Sequence, residues 1–178
     1  MRRRHLLACL PSAGLLGLMA AGLSGCGFAL RTPPKFAFAT IYAGVAPNSQ
    51  LGVELKRNLA AAGGVTLVTD AKAQNKADVI LDILQELREK VVVGVNASGQ
   101  VREFELRLRL RFRLRTPQGR ELISDTEMVQ QRTLSFNETV VLAKEAEEQL
   151  LYRNMQSDIV QQLMRRLAAV RHITTAPD

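Results

Sequence analysis

The chain is poor in the residues on which most enzymes and many nucleic-acid-binding proteins depend. Its 178 residues include two histidines, two cysteines, no tryptophan and only 4% aromatic residues. So few aromatic side chains argue against a surface that stacks on nucleic-acid bases. The sequence has no glycine-rich phosphate loop, no metal-ligand spacing and no serine with a nearby histidine base. We therefore expect neither an enzyme nor a nucleic-acid-binding protein, and no bound cofactor.

The N-terminal segment predicts export from the cytoplasm. Three arginines at positions 2–4 are followed by a run of mostly Leu, Ala and Gly over residues 6–19, and then by small residues. A basic start, an apolar stretch and small residues form the order of a signal peptide. The apolar run is interrupted by Pro11 and is shorter than the roughly 20 residues that a membrane-spanning helix needs. The prediction is a signal peptide over residues 1–25.

Residues 23–26, Leu-Ser-Gly-Cys, have the pattern of a bacterial lipobox. We expect cleavage before Cys26, which would carry a covalent diacylglycerol and an N-acyl lipid. Acyl chains bind a bilayer with about 0.8 kcal/mol per buried CH₂. Gly27 follows where an aspartate would favour the inner membrane, so the outer membrane is expected by analogy with enteric lipoproteins. Cys9 is removed with the signal, which leaves one cysteine and no possible disulfide.

The rest of the chain is long enough for one domain with its own core. We divide it into a lipidated tether at 26–35, an α+β domain at 36–171 and a flexible tail at 172–178. Three of the 24 basic residues lie in the signal, so 21 basic residues oppose 17 acidic ones and the balance is +4. A moderately basic domain favours an anionic partner.

Hydrophobic periodicity predicts the order β-α-β-β-β-β-α. Strands are predicted at 36–45, 65–68, 78–95, 104–114 and 121–134, and helices at 51–62 and 138–170. Asp82, Glu86 and Arg88 share the polar phase of the third strand, and residues 135–138 form a candidate capping box for the long helix. The prediction is a two-layer α+β sandwich, with a mostly antiparallel sheet of four to five strands and both helices on one face.

The strand at 104–114 has the clearest pattern, because apolar and charged residues alternate along it without a break. Such alternation puts the two kinds of side chain on opposite faces of a sheet. Its charged face carries five arginines: Arg107, Arg109, Arg111, Arg113 and Arg115. They could pair with carboxylates on neighbouring strands, with Asp82 and Glu86 or Asp125 and Glu127 as partners. They could also form an anion-binding face, since each guanidinium can bind phosphate in a bidentate manner. Both interpretations stay open.

Several short motifs, in their order and spacing, resemble the LPS-assembly lipoprotein family LptE (RlpB). Besides the lipobox, they lie at 27–31, 103–106, 116–120 and 142–147. The resemblance covers essentially the whole mature chain. It implies an α+β sandwich that sits as a plug inside the outer-membrane β-barrel LptD, at the periplasmic side. It also implies help in assembling that barrel and binding of lipopolysaccharide on its way to the cell surface.

The resemblance further implies basic contacts to lipopolysaccharide near the hairpin turn and near the start of the long helix. Lys144 matches the helix position, whereas the turn at 96–100 lacks the expected arginine and Arg102 is the nearest substitute. With the arginine strand, the candidate lipopolysaccharide-binding residues are Lys144, Arg102, Arg107, Arg109 and Arg111. The alternative is a stand-alone envelope lipoprotein that binds another anionic glycan polymer through an open arginine face.

Overall fold

The computed structural model describes residues 34–173 of the chain, which form a five-stranded sheet with two helices on one face. The strands are β1 (Thr40–Gly44), β2 (Thr66–Val68), β3 (Val79–Val95), β4 (Val101–Arg115) and β5 (Glu121–Ser135), and the helices are α1 (Gln50–Ala62) and α2 (Val141–Ala169). In space the strands run β2-β1-β3-β4-β5, with β1 parallel to both neighbours and the other pairs antiparallel. The predicted α+β sandwich and element order are confirmed. None of the helices within residues 34–173 has the length and apolar character needed to cross a membrane.

The hydrophobic core lies between the helices and one face of the sheet. Every second residue of β4 is fully buried there: Leu106, Leu108, Leu110, Phe112 and Leu114. From the helix side, α1 contributes Leu51, Leu55 and Leu59, which its 3.6-residue period places on one face. Ser49 caps the N-terminus of α1, because its Oγ accepts a hydrogen bond of 2.8 Å from the Gly52 amide.

The first strand begins at Thr40, four residues later than predicted. The Asp78 carboxylate accepts hydrogen bonds of 2.9 Å from the amides of Ala39 and Thr40, and the Asp78 amide donates to Thr40 Oγ at 2.8 Å. We call this arrangement the Asp78 clasp. Because it engages the amides at the entry to β1, Phe36 and Phe38 stay outside the strand and pack against the core. Burial raises the pKa of Asp78, but these hydrogen bonds outweigh it and hold the pKa below its ordinary value.

Strand β3 contains one extra residue, Leu84, between two stretches that pair regularly with β4. Before this bulge, Asp82 lies on the face of the β4 arginines. After it, Glu86 and Arg88 point to the helix face, where Glu86 lies opposite Leu110. The prediction that Asp82, Glu86 and Arg88 share one face is therefore wrong, because a bulge reverses the alternation of side chains.

The predicted capping box at 135–138 does not form. Ser135 remains in β5 and its hydroxyl accepts a hydrogen bond from Lys144 Nζ. Asn137 instead accepts from the Thr139 amide at 3.0 Å and caps a short 3-10 helix, Glu138–Val140, which leads into α2. The long helix therefore starts through a 3-10 turn rather than directly as an α-helix.

The signal peptide at 1–25, the lipidation site Cys26 and most of the tether at 26–35 lie outside the described residues. Of the tail predicted at 172–178, the structure describes His172 and Ile173. Ile173 packs against the core, and its carbonyl oxygen accepts a hydrogen bond from the Arg120 guanidinium. The packed domain therefore includes Ile173, beyond the predicted boundary at 171.

Candidate anion-binding surfaces

The arginines of β4 lie on the sheet face opposite the helices, and each one bonds to a carboxylate. Arg113 Nε and Arg115 Nε donate to the same oxygen of Asp82, at 2.9 and 2.7 Å. Arg107 Nε donates to Glu105 in its own strand. The strand alternation that exposes these arginines also brings carboxylates of the neighbouring strands beside them.

The middle of the arginine face is paired in the same way. Arg109 Nε lies 2.8 Å from Glu89 Oε2, and its second nitrogen lies 3.4 Å from Glu127 Oε1. Arg111 binds Asp125 through two nitrogens, with Nε 2.7 Å from Oδ1. The hydrogen bonds that Arg111 donates lower the pKa of Asp125, and those that Arg109 donates to Glu89 and Glu127 raise the pKa of Arg109.

The five guanidinium groups of this face thus meet five carboxylates. Pairing through Asp82, Asp125 and Glu127 is confirmed. Pairing through Glu86 is wrong, because the bulge turns Glu86 to the helix side, where it accepts from Ser49 Oγ at 2.6 Å. An anion would compete with these carboxylates for the guanidinium groups, so anion binding by Arg107, Arg109 and Arg111 stays a prediction.

The structure brings the other two candidates, Arg102 and Lys144, to one end of the sheet. The Phe136 amide donates to the Arg102 carbonyl oxygen at 2.8 Å, and Lys144 Nζ donates to Ser135 Oγ at 3.0 Å. Both candidates therefore contact the last residues of β5 or the residue after it. The arginines at 107, 109 and 111 lie on the face away from α2 and do not join this cluster.

The charges of Arg102 and Lys144 are only weakly engaged. Among residues 34–173, Arg102 has no carboxylate partner and contacts Gln100 Oε1 at 3.4 Å. Lys144 Nζ lies 2.8 Å from Glu147 Oε2, three residues further along α2. Such a pair on a helix contributes about 0.2–0.5 kcal/mol, which a phosphate could readily exceed.

Lys90 is a third basic residue at this end, and the sequence reasoning missed it. Its Nζ lies 2.6 Å from Glu148 Oε2 in α2 and 4.3 Å from the centre of the Phe104 ring. Phe104 in turn meets Phe136 edge to face at 5.2 Å. The extra residue Leu84 turns Lys90 towards the helices, and regular alternation in the sequence carries no signal of that bulge.

Exposed apolar side chains lie beside these cations. Leu142, in the first turn of α2, is 82% exposed, and Val92 in β3 is also exposed. A groove of about 550 Å³ is lined by Lys90 and by residues of α2: Leu142, Glu145, Ala146, Glu148 and Gln149. We call Lys90, Val92, Arg102, Leu142 and Lys144 the α2-start surface. It combines cationic and apolar groups, as binding of an amphiphile with an anionic headgroup requires.

Comparison with known proteins identifies the family. The model of the LptE family, described as lipopolysaccharide-assembly, matches residues 38–167. The chain belongs to the LptE family. Members are non-enzymatic lipoproteins, and membership gives this LptE protein a role in lipopolysaccharide assembly. Within residues 34–173, no group of three or more His, Cys, Asp or Glu residues could hold a metal ion.

Solved structures of similar proteins agree with the LptE assignment. The solution structure of uncharacterized lipoprotein B from Nitrosomonas europaea is 35% identical, with a TM-score of 0.68, and the match covers 80% of this chain and 91% of that one. A minor lipoprotein from Acinetobacter baumannii shares the fold at 22% identity and TM-score 0.61, over 80% and 100% of the chains. Rare lipoprotein B from Shewanella oneidensis does so at 18% identity and TM-score 0.62, over 73% and 94%. The predicted family resemblance is confirmed.

Proposed function

We propose that this LptE-family protein is an outer-membrane lipoprotein that binds lipopolysaccharide and plugs and helps assemble the LptD β-barrel. The observation that carries the proposal is the α2-start surface, where Lys90 and Leu142 line one groove and Lys144 and Arg102 lie at the same end of the sheet. Lipopolysaccharide has anionic phosphates beside acyl chains, so both parts of that surface have a counterpart in the ligand. Guanidinium and ammonium groups bind phosphate through charge-assisted hydrogen bonds.

The start of α2 adds to the attraction for phosphate. Val140 precedes the helix without a side-chain cap on the first amides. The helix dipole makes an N-terminus locally positive, within one turn of Lys144. The proposal therefore rests on Arg102 and Lys144, with Lys90 beside them, rather than on Arg107, Arg109 and Arg111.

We expect Lys144→Glu and Arg102→Glu each to weaken lipopolysaccharide binding about tenfold or more. Each change removes a charge-assisted contact of about 1.5–3 kcal/mol and adds a like charge next to phosphate. Titration calorimetry of the full-length protein with purified lipopolysaccharide in detergent measures the effect. Arg57→Glu is the matched control, because it makes the same charge change on the exposed side of α1.

Three outcomes of that titration are informative. Binding that survives both changes would remove Arg102 and Lys144 from the site. An equal loss in Arg57→Glu would show that net charge alone governs binding. A loss in Arg111→Ala as large as in Lys144→Glu would instead support an anion site on the arginine face.

The barrel partner and the lipid anchor are tested on the native protein. We expect a tagged version, solubilised from its own membrane, to bring LptD with it in equal amount. The mass of the tagged chain should correspond to a start at Cys26 with attached acyl chains. Purification without any barrel protein would contradict the plug, and an unmodified Cys26 would contradict the anchor.

A further inference from the structure

Strand β3 is much longer than the strand beside it, which leaves most of one of its edges unpaired. On that side β1 pairs with four residues, Val79–Asp82, of the 17 in β3. Within residues 34–173, no strand pairs with this side of β3 from Ile83 to Val95. Side-chain burial changes at the same point, since Val79–Leu81 are fully buried whereas Val91–Val93 are exposed.

Towards its middle the unpaired edge carries Lys90, and the Tyr152 hydroxyl donates to the Glu89 carbonyl oxygen at 2.7 Å; its last part, which includes a register irregularity at Val93, is apolar. From Val91 to Val95 it reads Val-Val-Val-Gly-Val, with no proline and no charged residue. Natural proteins normally protect such an edge with lysine, proline or a covering element. An exposed edge of β-branched residues is a ready template for the backbone of another strand.

Two solvent-accessible spaces lie beside this edge, on the helix side of the sheet. A cavity of about 550 Å³ lies next to the first part of the edge, between residues 83–88 of β3 and the chain that enters α1 at 46–50. The groove between Lys90 and the start of α2 lies beside the second part at Lys90. A neighbouring strand lies about 4.8 Å away in a sheet, and side chains of an added strand could occupy these two spaces.

We propose that the β3 edge from Ile83 to Val95 binds an extended peptide segment as an added strand, with acidic side chains alternating with apolar ones. The expected acidic side chains of the peptide follow from Arg88, which faces the helix side and has no carboxylate partner among residues 34–173. Its guanidinium instead lies over the Tyr152 ring at 5.3 Å and bonds to Gln156 at 3.2 Å. An acidic residue of the added strand, directly opposite Arg88, would complete the pair.

The apolar part of the occupant follows from the opposite face. Leu87 and Val91 lie on that face, opposite Arg109 and Glu105 of β4, and both are exposed. Apolar side chains of an added strand would lie directly beside them and bury their surface. This docking edge shares Lys90 and Val92 with the lipopolysaccharide site, but it uses the backbone of β3 and does not need Arg102 or Lys144, so changes at those two residues separate the two proposals.

The test uses the full-length protein in detergent and an acetylated, amidated seven-residue peptide in which valine and glutamate alternate. This alternation reads the same in both directions, so no strand direction is assumed. We expect saturating peptide to slow hydrogen exchange at least tenfold for those amides of Leu87–Val93 that do not bond to β4. Amides at the outer edge of β5 should exchange at an unchanged rate.

Two matched variants test whether the slowing of hydrogen exchange arises from peptide bound at the β3 edge. Val91 and Val129 are both 40% exposed, on β3 and β5, the two long strands that have an unpaired side. Val91→Glu should abolish the slowing and Val129→Glu should leave it intact, with circular dichroism confirming that both fold. A peptide with N-methylated backbone amides should have no effect, which tests strand pairing without changing the protein.

The other outcomes overturn the proposal. No slowing, or slowing that persists with the N-methylated peptide, would exclude strand addition. Equal slowing by a valine–lysine peptide would exclude the acidic chemistry. Slowing without peptide that grows with protein concentration would mean that a second copy occupies the edge. Slowing only when detergent is replaced by lipid discs would mean that lipid occupies the edge.

Discussion

Phe112→Ala lowers the free energy of unfolding by about 3–5 kcal/mol. Phe112 is fully buried at the centre of the layer between β4 and the helices, so alanine leaves a cavity that only partial collapse can fill. Urea unfolding of the full-length protein, followed by circular dichroism, measures the change. The loss exceeds that of any exposed-site change described above, because both transfer energy and packing are lost.

Phe104→Ala provides the matched control for that measurement. Phe104 lies on the same face of β4 but is only partly buried, near the end of the sheet. Its loss should be clearly smaller than that at Phe112. Equal losses, or a Phe112→Ala change below about 1 kcal/mol, would contradict a tightly packed helix–sheet layer.

Asp82→Ala is expected to cost about 2–3 kcal/mol, because it leaves two guanidinium groups without their carboxylate. Arg113 and Arg115 both donate to Asp82, whose side chain is only 20% exposed. Asp125→Ala is the matched control: within residues 34–173 Asp125 forms an ion pair with one arginine, Arg111, and its side chain is 40% exposed. The control should cost clearly less, because exposed ion pairs contribute little to stability. Equal costs would mean that shared pairing at Asp82 adds nothing.

The same residue gives stability a defined dependence on pH. Burial raises the pKa of Asp82, but hydrogen bonds and charge from Arg115 and Arg113 outweigh it and lower the pKa below the ordinary value of 3.8. A lowered pKa in the folded state means that the contribution is complete above the unfolded pKa and is lost as pH falls through the folded pKa. Stability of Asp82→Ala should therefore fall less steeply below about pH 4 than that of the unmodified protein. Parallel curves would contradict the ion pair.

The faces of β4 could be predicted from sequence, whereas those of β3 could not. In β4 the apolar residues from Phe104 to Leu114 keep a strict period of two, and burial of one complete face fixes the register. In β3 the extra residue Leu84 is itself apolar, so nothing in the pattern marks it as a bulge. That one residue decides why Glu86 leaves the arginine face and why Lys90 reaches α2.

The candidate site was predictable only in part for a related reason. The family resemblance indicated Lys144 through its motif at the start of the long helix. Its proximity to Arg102 depends on the Phe136 amide bonding to Arg102, which is a contact between distant parts of the sequence. Likewise, the carboxylates that neutralise Arg109 come from two different strands, and only the three-dimensional register selects them.

The Asp78 clasp lies where a pulling force on the N-terminal part of the chain would reach the sheet. The chain from the expected lipid anchor reaches the sheet at β1, which lies between β2 and β3 and runs parallel to both. A force applied upstream of Thr40 and directed along β1 would shear both strand pairings at once, so their hydrogen bonds would share the load instead of breaking one by one. The clasp adds three hydrogen bonds where that load arrives. If the predicted anchor holds the chain, a pull from the bilayer would therefore load both pairings together rather than open the sheet from one end.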